Sequence, residues 1–76
     1  MKAYEIREMS TEEILDELED AREELMNLRF QTATGELTDY NRLRIARRHI
    51  ARLLTVLNER AREEALAGAA EEEGEA

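Results

Sequence analysis

Two apolar seams of matched spacing, joined through a single glycine turn, constrain this chain more than any other feature. Ile14, Leu18, Ala21, Leu25 and Leu28 are separated by steps of 4, 3, 4 and 3, the spacing that lines one face of a helix. Leu43, Ala46, Ile50, Leu53 and Leu57 follow with steps of 3, 4, 3 and 4. Between them, Gly35-Glu36-Leu37-Thr38-Asp39 is the only interior turn signal, and the chain contains no proline. A short connection between matching seams predicts an all-α fold, a long antiparallel two-helix hairpin. The expected boundaries are a helix over 11–34, a turn over 35–39 and a helix over 40–62.

Local chemistry supports these limits. Ser10 is placed to cap the first helix, and Glu13 three residues later completes a capping-box pattern. Glu12, Glu13 and Asp16 fall in the first turns, where the helix dipole favours acids. Gly35 suits the left-handed position that follows a helix end. Thr38 or Asp39 can cap the second helix. At 1.5 Å per residue, a first helix of roughly 24 residues forms a rod of ~36 Å. Residues 1–9 read as a partly ordered lead-in. The closing AGAAEEEGEA has no periodicity and carries like charge, so residues 63–76 are expected to be a disordered acidic tail outside a single domain over 1–62.

Size makes such a hairpin needy. A chain of 76 residues buries only about 60% of the surface its unfolded form exposes. It has no cysteine and a single histidine, His49, so neither a disulfide nor a Cys/His metal site can staple it, and no cofactor is expected. Each helix buries one stripe and leaves its outer face wet. The fold therefore calls for a second copy or a larger partner to complete it. No apolar run approaches the ~20 residues of a membrane span. The start, MKAYEIREMSTEE, places acids where a secretory leader needs an apolar core. A cytoplasmic protein is the expectation.

Charge narrows the choice of partner. The net charge is -8, yet residues 1–40 hold four bases and twelve acids, residues 41–62 hold seven arginines and one acid, and residues 63–76 hold six glutamates and no base. A ligand responds to the local field rather than to the mean. On a helical wheel at about 100° per residue, Arg44, Arg48 and Arg52 fall opposite the second seam, with Thr55 and Arg62 continuing the strip and Arg47 on a flank. Such a row of guanidiniums needs anions beside it, and phosphate matches the planar fork. Pairing with Glu13, Glu17, Asp20 and Glu24 suits Arg42 and Arg60, which lie nearer the seam, but not a strip facing away. Phosphate contact is therefore preferred over a merely solvated face.

The first helix carries Met26, Phe30 and Ala33 to one side of its seam, beside Arg22 and Arg29. Phe30 admits two readings. It can meet a base or a partner's apolar pocket, or it can fold over the turn onto Leu37 or Tyr40. His49 reads as a solvated or phosphate-adjacent side chain. Ser10 and Thr11 have no histidine close in sequence to activate them, the carboxylates have no apolar pocket to tune them, and no phosphate-cradling glycine loop is present. Nothing in the sequence supports catalysis.

One resemblance is specific. The run from Glu23 to Leu37, EELMNLRFQTATGEL, is similar to the "EL-x-x-LRFQ-x-A-x-GQL" stretch of the ribosomal protein L-twenty-nine family of the bacterial large subunit. The run from Leu43 to Leu53, LRIARRHIARL, resembles that family's "R-x-x-RR-x-IAR" signature, and Thr55 to Arg60 fits the "T-x-L-x-E" that follows. The likeness covers about residues 3–62 in one order and spacing. Glu36 replaces a common glutamine, Asp39-Tyr40 replaces a polar pair often containing proline, and the acidic tail has no general counterpart. The resemblance implies a structural, non-enzymatic hairpin bound to the first domain of large-subunit rRNA. It implies a site near the polypeptide exit tunnel, beside another rim protein and within the neighbourhood of nascent-chain chaperones and the signal recognition particle. Carried onto this sequence, the RNA-binding residues are Arg29, Phe30, Gln31, Arg44, Arg47, Arg48 and Arg52. The seams alone also permit a homodimeric four-helix bundle or an adaptor hairpin. A small all-helical enzyme clamping a diacid is disfavoured, because no enclosed pocket is foreseeable.

Overall fold

A computed structural model describes the backbone of residues 1–36 and 39–75, with side chains to Gly68. The described residues form three helices: α1 (Ala3–Arg7), α2 (Thr11–Ala33) and α3 (Asn41–Glu75). α2 and α3 pack antiparallel in a body measuring 61 × 21 × 17 Å, as the two seams require.

The ends of α2 follow from their sequences. Ser10 takes an extended backbone, and its hydroxyl accepts from the Glu13 N–H at 3.2 Å, satisfying one of the free donors of the first turn. At the other end Gly35 adopts φ 79°, open to glycine at no steric cost. Its N–H donates to the Thr32 carbonyl at 3.2 Å, and the Glu36 N–H donates to the Gln31 carbonyl at 2.9 Å. These paired bonds close α2 as a Schellman turn. α3 begins where the Asp39 carboxylate accepts from the Asn41 N–H at 3.0 Å. Leu37 and Thr38, the other expected turn and cap residues, lie outside the described residues.

The core is uneven along the axis. At the end near the chain termini, Ile6, Ile14, Leu18, Ala21, Leu53 and Val56 form one cluster, flanked by Met9, Ile50 and Leu57. At the turn end, among the described residues, Leu28 and Ala46 are buried, with Leu25 and Leu43 beside them. The seams predict most of this set. They miss Ile6 and Val56, because both are buried where α1 packs across α3.

α1 is a single helical turn where the sequence suggests only a lead-in. An isolated turn of five residues is unstable by itself, so its order comes from tertiary contact. Ile6 is fully buried. Arg60 on α3 donates to the carbonyls of Arg7 at 3.2 Å and Met9 at 2.6 Å, and to the Thr11 hydroxyl at 2.9 Å. These carbonyls lie at and just past the end of α1, so the guanidinium serves as a long-range C-terminal cap.

α3 differs from expectation in length. The sequence places its end at 62 and a disordered tail over 63–76; the helix runs on to Glu75. Alanine, leucine and glutamate are strong helix formers, and no proline interrupts them. Residues 61–68 are all exposed, so over that stretch the helix rests on propensity and not on packing.

Candidate nucleic-acid interface

The basic surface is built by α3. Its buried positions, Ala46, Leu53 and Val56 with Leu43, Ile50 and Leu57 beside them, fix which way the rest of the helix points. Arg44 and Arg48 lie on the far side, both exposed. Spaced by four residues, they stand about 6 Å apart along the axis. Arg47 is exposed on one flank. Among the described residues, no carboxylate comes within 4 Å of Arg44, Arg47 or Arg48. Three cations without counter-ions on one helix raise the local potential and favour a polyanion.

Arg52 departs from the expected ladder. Four residues on, the helix has rotated it towards α2, and it donates to the Met1 carbonyl at 3.1 Å. It thereby joins Met1, Glu17, Glu24, Ile45 and His49 around an open groove of about 390 Å³. Arg42 lines the same groove, but it forms no ion pair among the described residues. The sequence assigned Arg42 to an acidic partner on α2. The structure sets it on the groove that Glu17 and Glu24 of α2 also line, on the side expected but without the bridge.

Other expected pairings also resolve differently. Arg60 caps α1 instead of meeting an α2 carboxylate. The one arginine–carboxylate bridge among the described residues joins Arg7 and Glu59 at 3.2 Å. His49 is not simply solvated. Its Nε2 lies 3.0 Å from Glu17 Oε1, while its Nδ1 is buried without a partner. That bond ties α3 to α2 at mid-length.

The remaining predicted residues sit at the end of α2. Arg29 is exposed, and Phe30 is 68% exposed. Phe30 therefore lies open, and does not cover the core. Gln31 is half-buried, and its backbone carbonyl is occupied by the Schellman turn and by the Thr34 hydroxyl at 3.1 Å. From Leu25 to Gly35 the chain carries no acid. The structure brings Arg29, Phe30, Arg44, Arg47 and Arg48 to one end of the hairpin, but on different sides of it. Among the described residues no group of His, Cys, Asp or Glu is arranged to hold a metal ion.

An exposed arginine surface on a two-helix hairpin has known relatives. Residues 4–60 match the family described as "Ribosomal L29 protein". The chain belongs to the ribosomal L29 family. Proteins named "Large ribosomal subunit protein uL29" share its sequence closely. That of Corynebacterium efficiens is 55% identical over 58 residues, covering 76% of each chain. The Mycolicibacterium vanbaalenii protein is 57% identical over 56 residues, covering 74% of this chain and 73% of its own. The Streptomyces griseus protein is 52% identical over 59 residues, covering 78% of this chain and 80% of its own. The role is that of a structural ribosomal component, not an enzyme. No helix among the described residues is long and apolar enough to cross a membrane. The matched region stops at residue 60, so the extension of α3 lies outside the family's shared part.

Proposed function

We propose that this chain binds large-subunit rRNA near the polypeptide exit tunnel, through the exposed arginines of α3. The observation that carries this reading is that Arg44, Arg47 and Arg48 stand exposed with no carboxylate within 4 Å among the described residues, on a chain with nineteen acids available to pair them. The chemistry is neutralisation of backbone phosphate and fit to folded RNA, with little reading of base edges. The binding unit is residues 1–62, which contain every residue buried among those described. The RNA also supplies the surface that the thin hairpin lacks.

At the exit tunnel the hairpin stands beside another rim protein and within reach of nascent-chain chaperones and the signal recognition particle. Cross-linking of assembled large subunits tests these neighbours.

Binding to a large-subunit rRNA fragment, followed across salt concentrations, tests the central reading. If about four arginines meet phosphate, log affinity falls with log salt at a slope of about -3 to -4. Changing Arg44, Arg48 and Arg52 together to Ala abolishes association and leaves helicity intact. Unchanged binding would remove this surface from the account. A salt-insensitive dimer of the free protein in sedimentation would instead favour a protein-interaction module.

A further inference from the structure

Charge and packing are both polarised along the hairpin. Residues 25–48, which form the turn end, hold five arginines and two acids, whereas residues 1–24 hold three bases and ten acids. Among the described residues the turn end also has the smaller buried cluster, Leu28 and Ala46. It has the least protein to stabilise it and the most cation to offer.

The cations and the aromatic at this end face outward in opposite directions. α2 buries Leu18, Ala21 and Leu28 against α3. At about 100° per residue, Phe30 falls almost diametrically opposite that buried stripe, with Arg29 on its flank. α3 buries Ala46 and Leu53, and Arg44 and Arg48 fall opposite them. Phe30 thus marks the back of α2 and the arginine pair marks the back of α3, with both packed helices between them. A single RNA strand lying on α3 cannot also meet Phe30.

We infer that the hairpin enters folded RNA turn first and is held between two RNA segments, one on the phosphate-gripping back of α3 and one stacked on Phe30 at the back of α2. This rests on the rRNA-binding reading above and adds an orientation to it. RNA is the occupant argued for the Phe30 side, since the α2 surface there carries Arg29 and no acid from Leu25 to Gly35, and an aromatic face beside a cation suits an unpaired base. The first half of α2 carries Glu12, Asp16, Glu19 and Asp20, which repel phosphate and stay outside the RNA.

The absence of native cysteine makes the test direct. Ala33→Cys, Ala51→Cys and Glu19→Cys each place one thiol at an exposed helical position: by the Phe30 side, on the back of α3, and at the acidic end. Each variant, carrying a tethered hydroxyl-radical source, is assembled into large subunits, and RNA cleavage is mapped. The expected result is strong cleavage from positions 33 and 51 in two non-overlapping RNA segments, with cleavage from position 19 several-fold weaker. Cleavage from 51 alone overturns the two-segment inference and leaves the α3 surface standing; it also marks the Phe30 side as facing protein or solvent. Overlapping cuts from 33 and 51, or equal cutting from 19, overturn it as well. Loss of cleavage from 33 and 51 together overturns both this inference and the binding reading beneath it.

Discussion

Arg60 donates to the Met9 carbonyl at 2.6 Å, and through that contact the middle of the second long helix organises the beginning of the chain. The same guanidinium reaches the Arg7 carbonyl and the Thr11 hydroxyl. One side chain thus spans the end of α1, the link and the start of α2. Arg60→Ala leaves two carbonyls to water and frees α1, at a cost of about 1–2 kcal/mol. The loss is local before it is global. Amide exchange at Met9, whose N–H donates to the Ile6 carbonyl at 3.0 Å, accelerates well ahead of amides in mid-α2. Arg60→Lys keeps the charge but not the fork, and falls between the two. Uniform acceleration along the chain would show that α1 is not a separate unit.

Ile6 is the anchor that α1 contributes. It has no exposed surface and packs in the cluster of Ile14, Leu53 and Val56. Ile6→Ala removes buried methyl groups and leaves a void beneath a helix too short to collapse onto it. The expected destabilisation is about 2–4 kcal/mol in urea unfolding. Ile45→Ala is the matched control, because Ile45 is 58% exposed and costs little by the same measure. Equal losses from the two substitutions would mean that the α1 cluster does not form in solution.

The seams and caps made the hairpin legible from the sequence, because α2 and α3 each present one apolar stripe with a helical period. Ser10, Gly35 and Asp39 then stand at the boundaries for backbone reasons that need no tertiary knowledge. α1 was not legible. Five residues are too few to show a period, and Ile6 is buried in a cluster that includes Leu53 and Val56, nearly fifty positions away. Val56 was missed for the same cause, since it is α1 that widens the buried stripe of α3. Within the candidate site, exposure of Arg44, Arg47, Arg48 and Arg52 followed from the wheel, but the bond from Arg52 to the Met1 carbonyl did not. A period of 3.6 rotates every fourth residue further round the helix, and by Arg52 that drift meets the Met1 carbonyl. The helical reach of α3 past 62 follows the helix-forming tendency of its alanines and glutamates, which the like charge of that stretch obscures in the sequence.

The drift of Arg52 makes the arginines unequal towards RNA. Arg44 and Arg48 are free of intramolecular partners among the described residues, whereas Arg52 already donates to a carbonyl. Arg44→Ala and Arg48→Ala should each flatten the salt dependence of rRNA binding by about 0.7–0.9 in the log–log slope. Arg52→Ala should flatten it by clearly less. The three single variants, measured on one rRNA fragment across one salt series, decide this. An equal effect from Arg52 would mean that its bond to Met1 yields to phosphate on binding.

The acidic extension of α3 separates stability from affinity. Residues 61–68 are exposed, and every residue buried among those described precedes them, so removing residues 63–76 takes away no part of either core cluster. Thermal unfolding of the shortened chain should match that of the full one. RNA binding should not match, since the deletion removes six of the nineteen carboxylates and no base. These charges lie at the end of the hairpin away from Arg44 and Arg48, more than a Debye length of about 8 Å at physiological salt. Their repulsion of phosphate is therefore screened under those conditions and felt at low ionic strength. The shortened chain should bind rRNA more tightly than the full one at low salt, with the difference closing as salt rises. A gain that persists at high salt would place the glutamates against the RNA itself, and would contradict an orientation in which that end of the hairpin faces away from it.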